Sequence, residues 1–489
     1  MPVIPFGEWT PDRAPIDTPG VTVAKNTYPS ASGFRPVQTL TSSTDALDAR
    51  AQGAIQATDK DLNVIQYAGD AAKLYQNVSN AWTDRSKVGG YSTGSEERWE
   101  FTQWENKVIA TNFADNPQQI TLGASIFSDL TTALKARHVN VIRDFVVFGN
   151  TFDATDGNKP NRIRWSAFGD ETDYTVSAST LSDFQDLKVS QPVERIFGGE
   201  YGVIFQKNNI WRMSFVGAPV VFQFDQTVPN IGLLSPGAAV QDGDNIYFLS
   251  DKGFHVVTNG TQARPIGIER VDRFVLDDLD QDNLHRMSAA IDPTTQRVFW
   301  AYPGSGNSSG TPNKIVVYDR GINRWSLIEQ DVELLWSAGG IGTTLEGLDS
   351  ISASIDSLTI PLDSRRWTGG AAVLGAFGST HKSGSFDGAK MTATIKTKEM
   401  QFNDGGRTQL TAFTPVIDGG TVTAKTFTRD RQADAVIEGS SLSQLASGRF
   451  TTRANARYHQ LQFTISGEWD HAVGVEVDRK DIKKVSGRG

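Results

Sequence analysis

Short runs of β-branched and aromatic residues, broken by tight Asn/Asp/Gly turns, recur through the first two thirds of the chain. Val203–Phe205 and Ile210–Met213 flank Lys207-Asn208-Asn209, Ile246–Leu249 and Phe254–Val257 flank Asp251-Lys252-Gly253, and Ile315–Tyr318 meets Trp325 across Asp319-Arg320-Gly321-Ile322-Asn323. Each reads as strand, turn, strand. Asn63–Ala68 with Ala72–Tyr75, Arg98–Trp104 with Lys107–Asn112, and Val139–Phe148 with Arg162–Ser166 read the same way, and Arg297–Tyr302 leads into the last unit. Recurrence every 40–60 residues or so predicts a β-propeller of about six blades between residues 60 and 340. Trp165, Trp211 and Trp325 are expected to be buried between its blades.

The remaining pattern predicts three departures from this repeat. Ile268, Val271, Phe274, Val275 and Leu279 fall at helical spacing and predict a helix packed beneath the sheets. A milder stripe, Ala46, Leu47, Arg50, Ala51 and Ala54, predicts a short helix over Ser43–Ala57. Beyond Gly339-Gly340-Ile341-Gly342, longer alternating runs follow: Met391–Thr397, Thr411–Ile417, Thr421–Phe427 and Tyr458–Ile465. With a hairpin expected at Asp418-Gly419-Gly420, they predict an antiparallel β-sandwich. The resulting division is a 1–42 extended arm, a 43–340 propeller and a 341–489 sandwich or platform. Pro2, Pro5, Pro11, Pro15, Pro19, Pro29 and Pro36 keep the arm extended. Trp9, Tyr28 and Phe34 within it demand burial, against the arm's own domain or as inter-subunit anchors.

At 489 residues, with 26 Phe and 11 Trp, the chain can fill more than one core. It has no cysteine, which excludes disulfides, thiolate metal sites and a cysteine nucleophile. A net charge of -9 argues against tight wrapping of nucleic acid, though a phosphate-repelling surface lets DNA slide past. Met1–Trp9 lacks the basic and apolar segments of a signal peptide, and no apolar stretch predicts a membrane span. The sequons at Asn77, Asn259 and Asn307 therefore carry no expectation.

Catalytic chemistry finds little footing. Gly90-Tyr91-Ser92-Thr93-Gly94 matches a nucleophile elbow, but a strand rather than a helix follows it, so a loop is expected. Asp278-Leu279-Asp280-Gln281-Asp282 begins like a calcium loop, yet Asn283 and Ala289 occupy the required Gly and Glu positions. Asp319-Arg320-Gly321 with Trp325 resembles the D-x-G…W hairpin of sialidase propellers, where it is structural. Arg143, Arg195 and Arg297 would be the candidates for a substrate carboxylate if the chain were such an enzyme. No catalytic, cofactor or metal residue is assigned. Arg479, Lys480, Lys483 and Lys484 form a locally basic run that reads either as a solvated face or as a docking site for an acidic partner.

Several segments in order resemble the tail nozzle (tail tube, packaged-DNA-stabilisation) proteins of short-tailed bacteriophages. They are Glu8-Trp9-Thr10-Pro11-Asp12, Pro19-Gly20, Lys25-Asn26 and Gly33-Phe34-Arg35-Pro36 in the arm, then Asn106–Asn112 with Asp115–Gln118 as a second blade. Arg143–Val147 with Asn161–Ser166 looks like a third blade, and Leu348-Asp349 through Leu362-Asp363-Ser364 is similar to the family's linker. Pro415–Gly420 and Thr428-Arg429-Asp430 resemble its C-terminal sandwich. The resemblance implies a structural virion protein and no enzyme. Six copies would form a ring below the portal and adaptor rings, surround double-stranded DNA without sequence-specific binding, and support fibres or tailspikes. It would be made in the bacterial host cytoplasm. No insertion between blades can be matched to a distal gate. The alternative is a propeller that recognises or hydrolyses host glycans.

Overall fold

Glu100–Trp104 pairs with Lys107–Thr111 around Glu105-Asn106, Gly202–Gln206 with Asn209–Gly217, and Asn245–Ser250 with Gly253–Thr258, all antiparallel. The computed structural model describes residues 3–292, 294–339, 354, 372–403 and 406–485. The linker-like stretch Leu348–Ser364, apart from an exposed Ser354, and most of the glycine-rich boundary lie outside these, as do residues 486–489.

The protein is mainly β, a propeller joined to further sheets built from N- and C-terminal strands, as the sequence pattern predicts. Six blades are separate four-stranded sheets. Five of them occupy residues 53–84, 100–129, 135–186, 193–229 and 239–265. The sixth combines Leu334–Gly339, Ala372–Phe377 and Lys382–Lys390 with Gln38–Ala46 from the N-terminal region. A further four-strand unit, residues 288–329, stands between the fifth and sixth blades but is not separate, because its outer edge continues into another domain layer. The ring closes where Leu334–Gly339 packs beside Gly53–Thr58.

Aromatic side chains fill the gaps between blades. Trp165 and Trp211 share one core with Phe145 and Phe222, and Trp325 is fully buried against Phe254 and Tyr318. Trp99 lies so close to Gly69 that a Cβ there would meet its ring at 2.4 Å. Burial of each such ring contributes on the order of 2–3 kcal/mol. The Asp319 turn is structural, as expected: its carboxylate accepts from the Gly321 and Ile322 N–H groups and from Arg297 Nε.

The helix forms over Asp272–Asp278, with Val271, Val275 and Leu279 buried and Ile268 left exposed. The second predicted helix does not form. Residues 38–46 are the outer strand of the sixth blade, and Gly53–Thr58 is the inner strand of the first. Pairing on both segments overrides a weak local helical preference.

The N-terminal region is extended, as expected, and its strands join the sheets of the rest of the chain: Gln38–Ala46 runs across position 42/43, and Leu334–Gly339 and Ala372–Phe377 share one sheet. Val21–Lys25 runs parallel to Arg324–Glu329 at Lys25–Leu327 and antiparallel to Ala393–Thr397. It thereby welds the 288–329 unit to the C-terminal strands as one ten-stranded sheet. A seven-stranded sheet, including Val3–Pro5, Thr408–Ile417 and Ala472–Glu476, packs over its far end through Phe6, Phe413, Phe450 and Phe463. The Asp418-Gly419-Gly420 turn is not a hairpin. Thr408–Ile417 belongs to one layer and Thr421–Arg429 to the other, so the turn arches between them. Asp418 fixes the arch by accepting from the backbone N–H groups of Asp470 and His471.

Candidate functional site: the axial cavity of the propeller

In a propeller the innermost strands run in one direction along the axis, so residues just before or at their starts gather at one rim. Here Glu96, Glu97 and Arg98 precede Glu100–Trp104, Arg137 and His138 begin Lys135–Ile142, Glu194 and Arg195 begin Val193–Phe197, and His285 precedes Ser288–Asp292. All but Arg195 line a cavity of about 410 Å³, with Pro160, Pro192, Val193 and Pro236 as its apolar wall. Arg98 also lines a second, deeper cavity of about 200 Å³ that reaches Glu100, Arg195 and Ile196.

Below this rim sits a compact charge cluster. Glu100 and His138, 6% and 3% exposed, meet at 3.1 Å between the second and third blades, and Arg195 Nε lies 3.8 Å from the same carboxylate. Burial raises the Glu100 carboxyl, but the charges of His138, Arg195 and Arg98 outweigh it and hold it at about 2. Arg195 donates to the Pro236 carbonyl at 2.6 Å, and Arg137 to Glu97 at 2.6 Å. Glu333 accepts from the Ala51 N–H at 3.2 Å and meets His381 at 2.8 Å.

Arg98 differs from these neighbours. Its guanidinium lies along Gly237, where a Cβ would meet Nη1 at 2.4 Å. Its Nε is buried, and among the described residues it has no hydrogen bond or ion pair. Burial, then the Arg195 guanidinium and, less strongly, Arg50, outweigh the attraction of Glu100 and pull it down to about 10, so it stays charged at neutral pH. His285 has no partner among the described residues, and burial followed by Arg50 lowers its basicity. Burial raises the Glu194 carboxyl.

The residues singled out from sequence fall elsewhere, apart from Arg195. Arg143 sits at a blade turn near Glu200, and Arg297 is taken up by Asp319 and Tyr28, so the three arginines do not form one carboxylate clamp. Gly90–Gly94 is a loop, as expected, with Ser92 N–H bonded to Asp115. Asp278 is occupied by Lys314, Ser305 and Tyr302, and Asp280 by Asn283 and Asn307. Among the described residues no cluster of three or more His, Asp or Glu has metal-site geometry. No helix among them is long and apolar enough to cross a membrane.

Trp9 and Phe34, 2% and 1% exposed, and Tyr28, edge-on to Phe299, anchor the N-terminal strands onto their own chain. Trp9 packs on Phe274 and donates to the Thr22 carbonyl. Of the two expected destinations for these side chains, the structure shows Trp9 and Tyr28 packed on aromatic rings of their own chain and Phe34 buried in its core. Arg479, Lys480, Lys483 and Lys484 are exposed on a 3-10 turn and the strand Ile482–Lys484; Lys480 reaches Asp478 at 3.4 Å, and the other three have no ion pair among the described residues.

Sequence reasoning passed over Arg98, Glu100, His138 and His285. The available signal was positional: charged residues recur at the starts of successive inner strands, and aligning the blades by their strands stacks them on the axis.

No known protein family matches the chain, and no curated protein matches it. Among solved structures, an extracellular domain assigned to a hybrid two-component system of B. thetaiotaomicron is similar over 82% of this chain and 47% of its own, at 11% identity and a TM-score of 0.42. BamB from Moraxella catarrhalis is similar over 63% of this chain and 87% of its own, at 8% identity and a TM-score of 0.36.

Proposed function

We propose that the chain is a structural subunit of a short-tailed phage tail. Its copies form a nozzle ring that continues the DNA channel, helps to retain packaged DNA and conveys it on ejection. The observation that carries this reading is the ten-stranded sheet in which Val21–Lys25 joins the 288–329 propeller unit to the C-terminal sandwich. Shared backbone hydrogen bonding makes the two units one stiff piece, as a ring subunit that must withstand the pressure of packaged DNA requires. The ordered resemblance supports it too: Asn106–Asn112 and Arg143–Val147 fall on the second and third blades.

A net charge of -9 suits a lumen along which phosphates slide rather than stick. The exposed Arg479, Lys480, Lys483 and Lys484 are the surface for an acidic partner in the tail, the adaptor ring being the candidate. Fibres or tailspikes would attach outside, and the mature location is the virion. Light scattering on the purified full-length chain tests the assembly. A particle of about six chains, alone or with the adaptor protein, is expected. A chain that stays monomeric under both conditions rejects the proposal.

A further inference from the structure

We propose that the axial cavity binds a small hydroxylated oxyanion, a carboxylate or phosphate monoester of about monosaccharide size, with Arg98 as its anion anchor. This goes beyond the structural role and is independent of it.

The inference starts from an imbalance in hydrogen bonding. Buried polar groups are nearly always partnered, and a guanidinium presents five N–H donors that it cannot discharge by losing its proton at neutral pH. Arg98 has its Nε covered and no acceptor within the described protein, yet it lines both cavities on the axis. None of the neighbouring carboxylates hydrogen-bonds it among the described residues. Glu97 is taken by Arg137 and Glu333 by His381 and the Ala51 N–H, while Glu100 attracts Arg98 only at longer range and meets His138 and Arg195. Glu96 and Glu194, which line the same cavity, form no ion pair with it among the described residues. Arg195 differs in having found the Pro236 carbonyl. Among the described residues Arg98 is thus a cation without a hydrogen-bond acceptor, and His285, likewise without a partner among them, faces the same space.

The walls define the rest of the ligand. Pro160, Pro192, Val193 and Pro236 offer a rigid apolar surface, while Asn158 and Glu194 offer acceptors for hydroxyl groups. A planar guanidinium matches the two oxygens of a carboxylate or phosphate in fork geometry. At about 410 Å³ the cavity holds a monosaccharide-sized molecule and falls within the usual range for ligand pockets. The nearby Arg195 and Arg50 make the site more favourable for an anion, as the depressed basicity of Arg98 indicates.

Calorimetric titration of the full-length chain with glucuronate, glucose 6-phosphate and neutral glucose tests this. At least one anion is expected to bind and glucose to show no heat; which anion binds decides between carboxylate and phosphate. Arg98→Gln is expected to weaken binding about tenfold or more, and His285→Gln to weaken it to a smaller extent. Should Arg98→Gln not fold, His285→Gln carries the test. Failure of both anions to bind at about 10 mM, equal binding of glucose, or unchanged affinity in the folded variants overturns the proposal. None of these outcomes depends on whether the chain assembles into rings.

Discussion

Asp12 accepts the Phe274 backbone N–H at 2.7 Å and the Arg273 N–H at 3.0 Å, capping from the N-terminal region a helix that has no side-chain cap of its own. A carboxylate there satisfies two orphan N–H groups and complements the helix dipole. Asp12→Ala is expected to cost about 1–2 kcal/mol. Hydrogen exchange should accelerate at the Arg273 and Phe274 amides. Unchanged protection of those amides would show that the cap contributes nothing.

Asp272, the first residue of that helix, presses its carboxylate against Gly253 and Gly267 and accepts from the Phe254 N–H. Burial raises it from 3.8 to about 6, against the pull of that hydrogen bond. An acid raised in the fold stabilises it while protonated. That contribution is complete below pH 3.8 or so and is lost as pH climbs through about 6. Asp272→Asn, which keeps an acceptor for Phe254, should therefore raise stability by on the order of 1–3 kcal/mol above pH 6, with little effect near pH 4. Thermal unfolding across that range checks it; a gain that does not depend on pH would point elsewhere.

Glu100 behaves with the opposite sign. Its carboxyl is held at about 2 by its cationic neighbours, so its contribution is present above its ordinary value of 4.5 and fades as pH falls toward 2. Glu100→Gln should lose on the order of 3 kcal/mol at pH 7, because it strands His138, Arg195 and Arg98 without a counter-charge. The deficit relative to the parent chain should shrink on acidification. Denaturant unfolding at several pH values measures it, and a constant deficit would contradict the assignment.

Trp325 is fully buried among Phe254, Trp300 and Tyr318. Trp325→Ala is expected to cost about 3–5 kcal/mol through the void it leaves. Ile437→Ala, at a position 68% exposed, should cost less than about 0.5 kcal/mol. Equal losses at the two sites would mean that the blade core does not govern stability.

The strand runs and their turns were legible because each blade is made of local hairpins whose alternation and turn chemistry lie within a few residues of each other. The tryptophans between blades were legible for the same reason. What could not be read was long-range pairing. Nothing near Gln38–Ala46 announces Lys382–Lys390 as its partner, and Asp12 caps a helix far along the chain. Local propensity even pointed the wrong way at Ser43–Ala57, and Asp418-Gly419-Gly420 has hairpin chemistry but joins two layers. The axial cluster was hidden because Arg98, His138 and His285 become neighbours only when the blades close into a ring.

Negative-stain imaging of the full-length chain mixed with its adaptor ring tests the proposed role most directly. The account predicts sixfold rings stacked on the adaptor, with an open central channel. Adaptor rings that remain bare beside monomeric chain would contradict it.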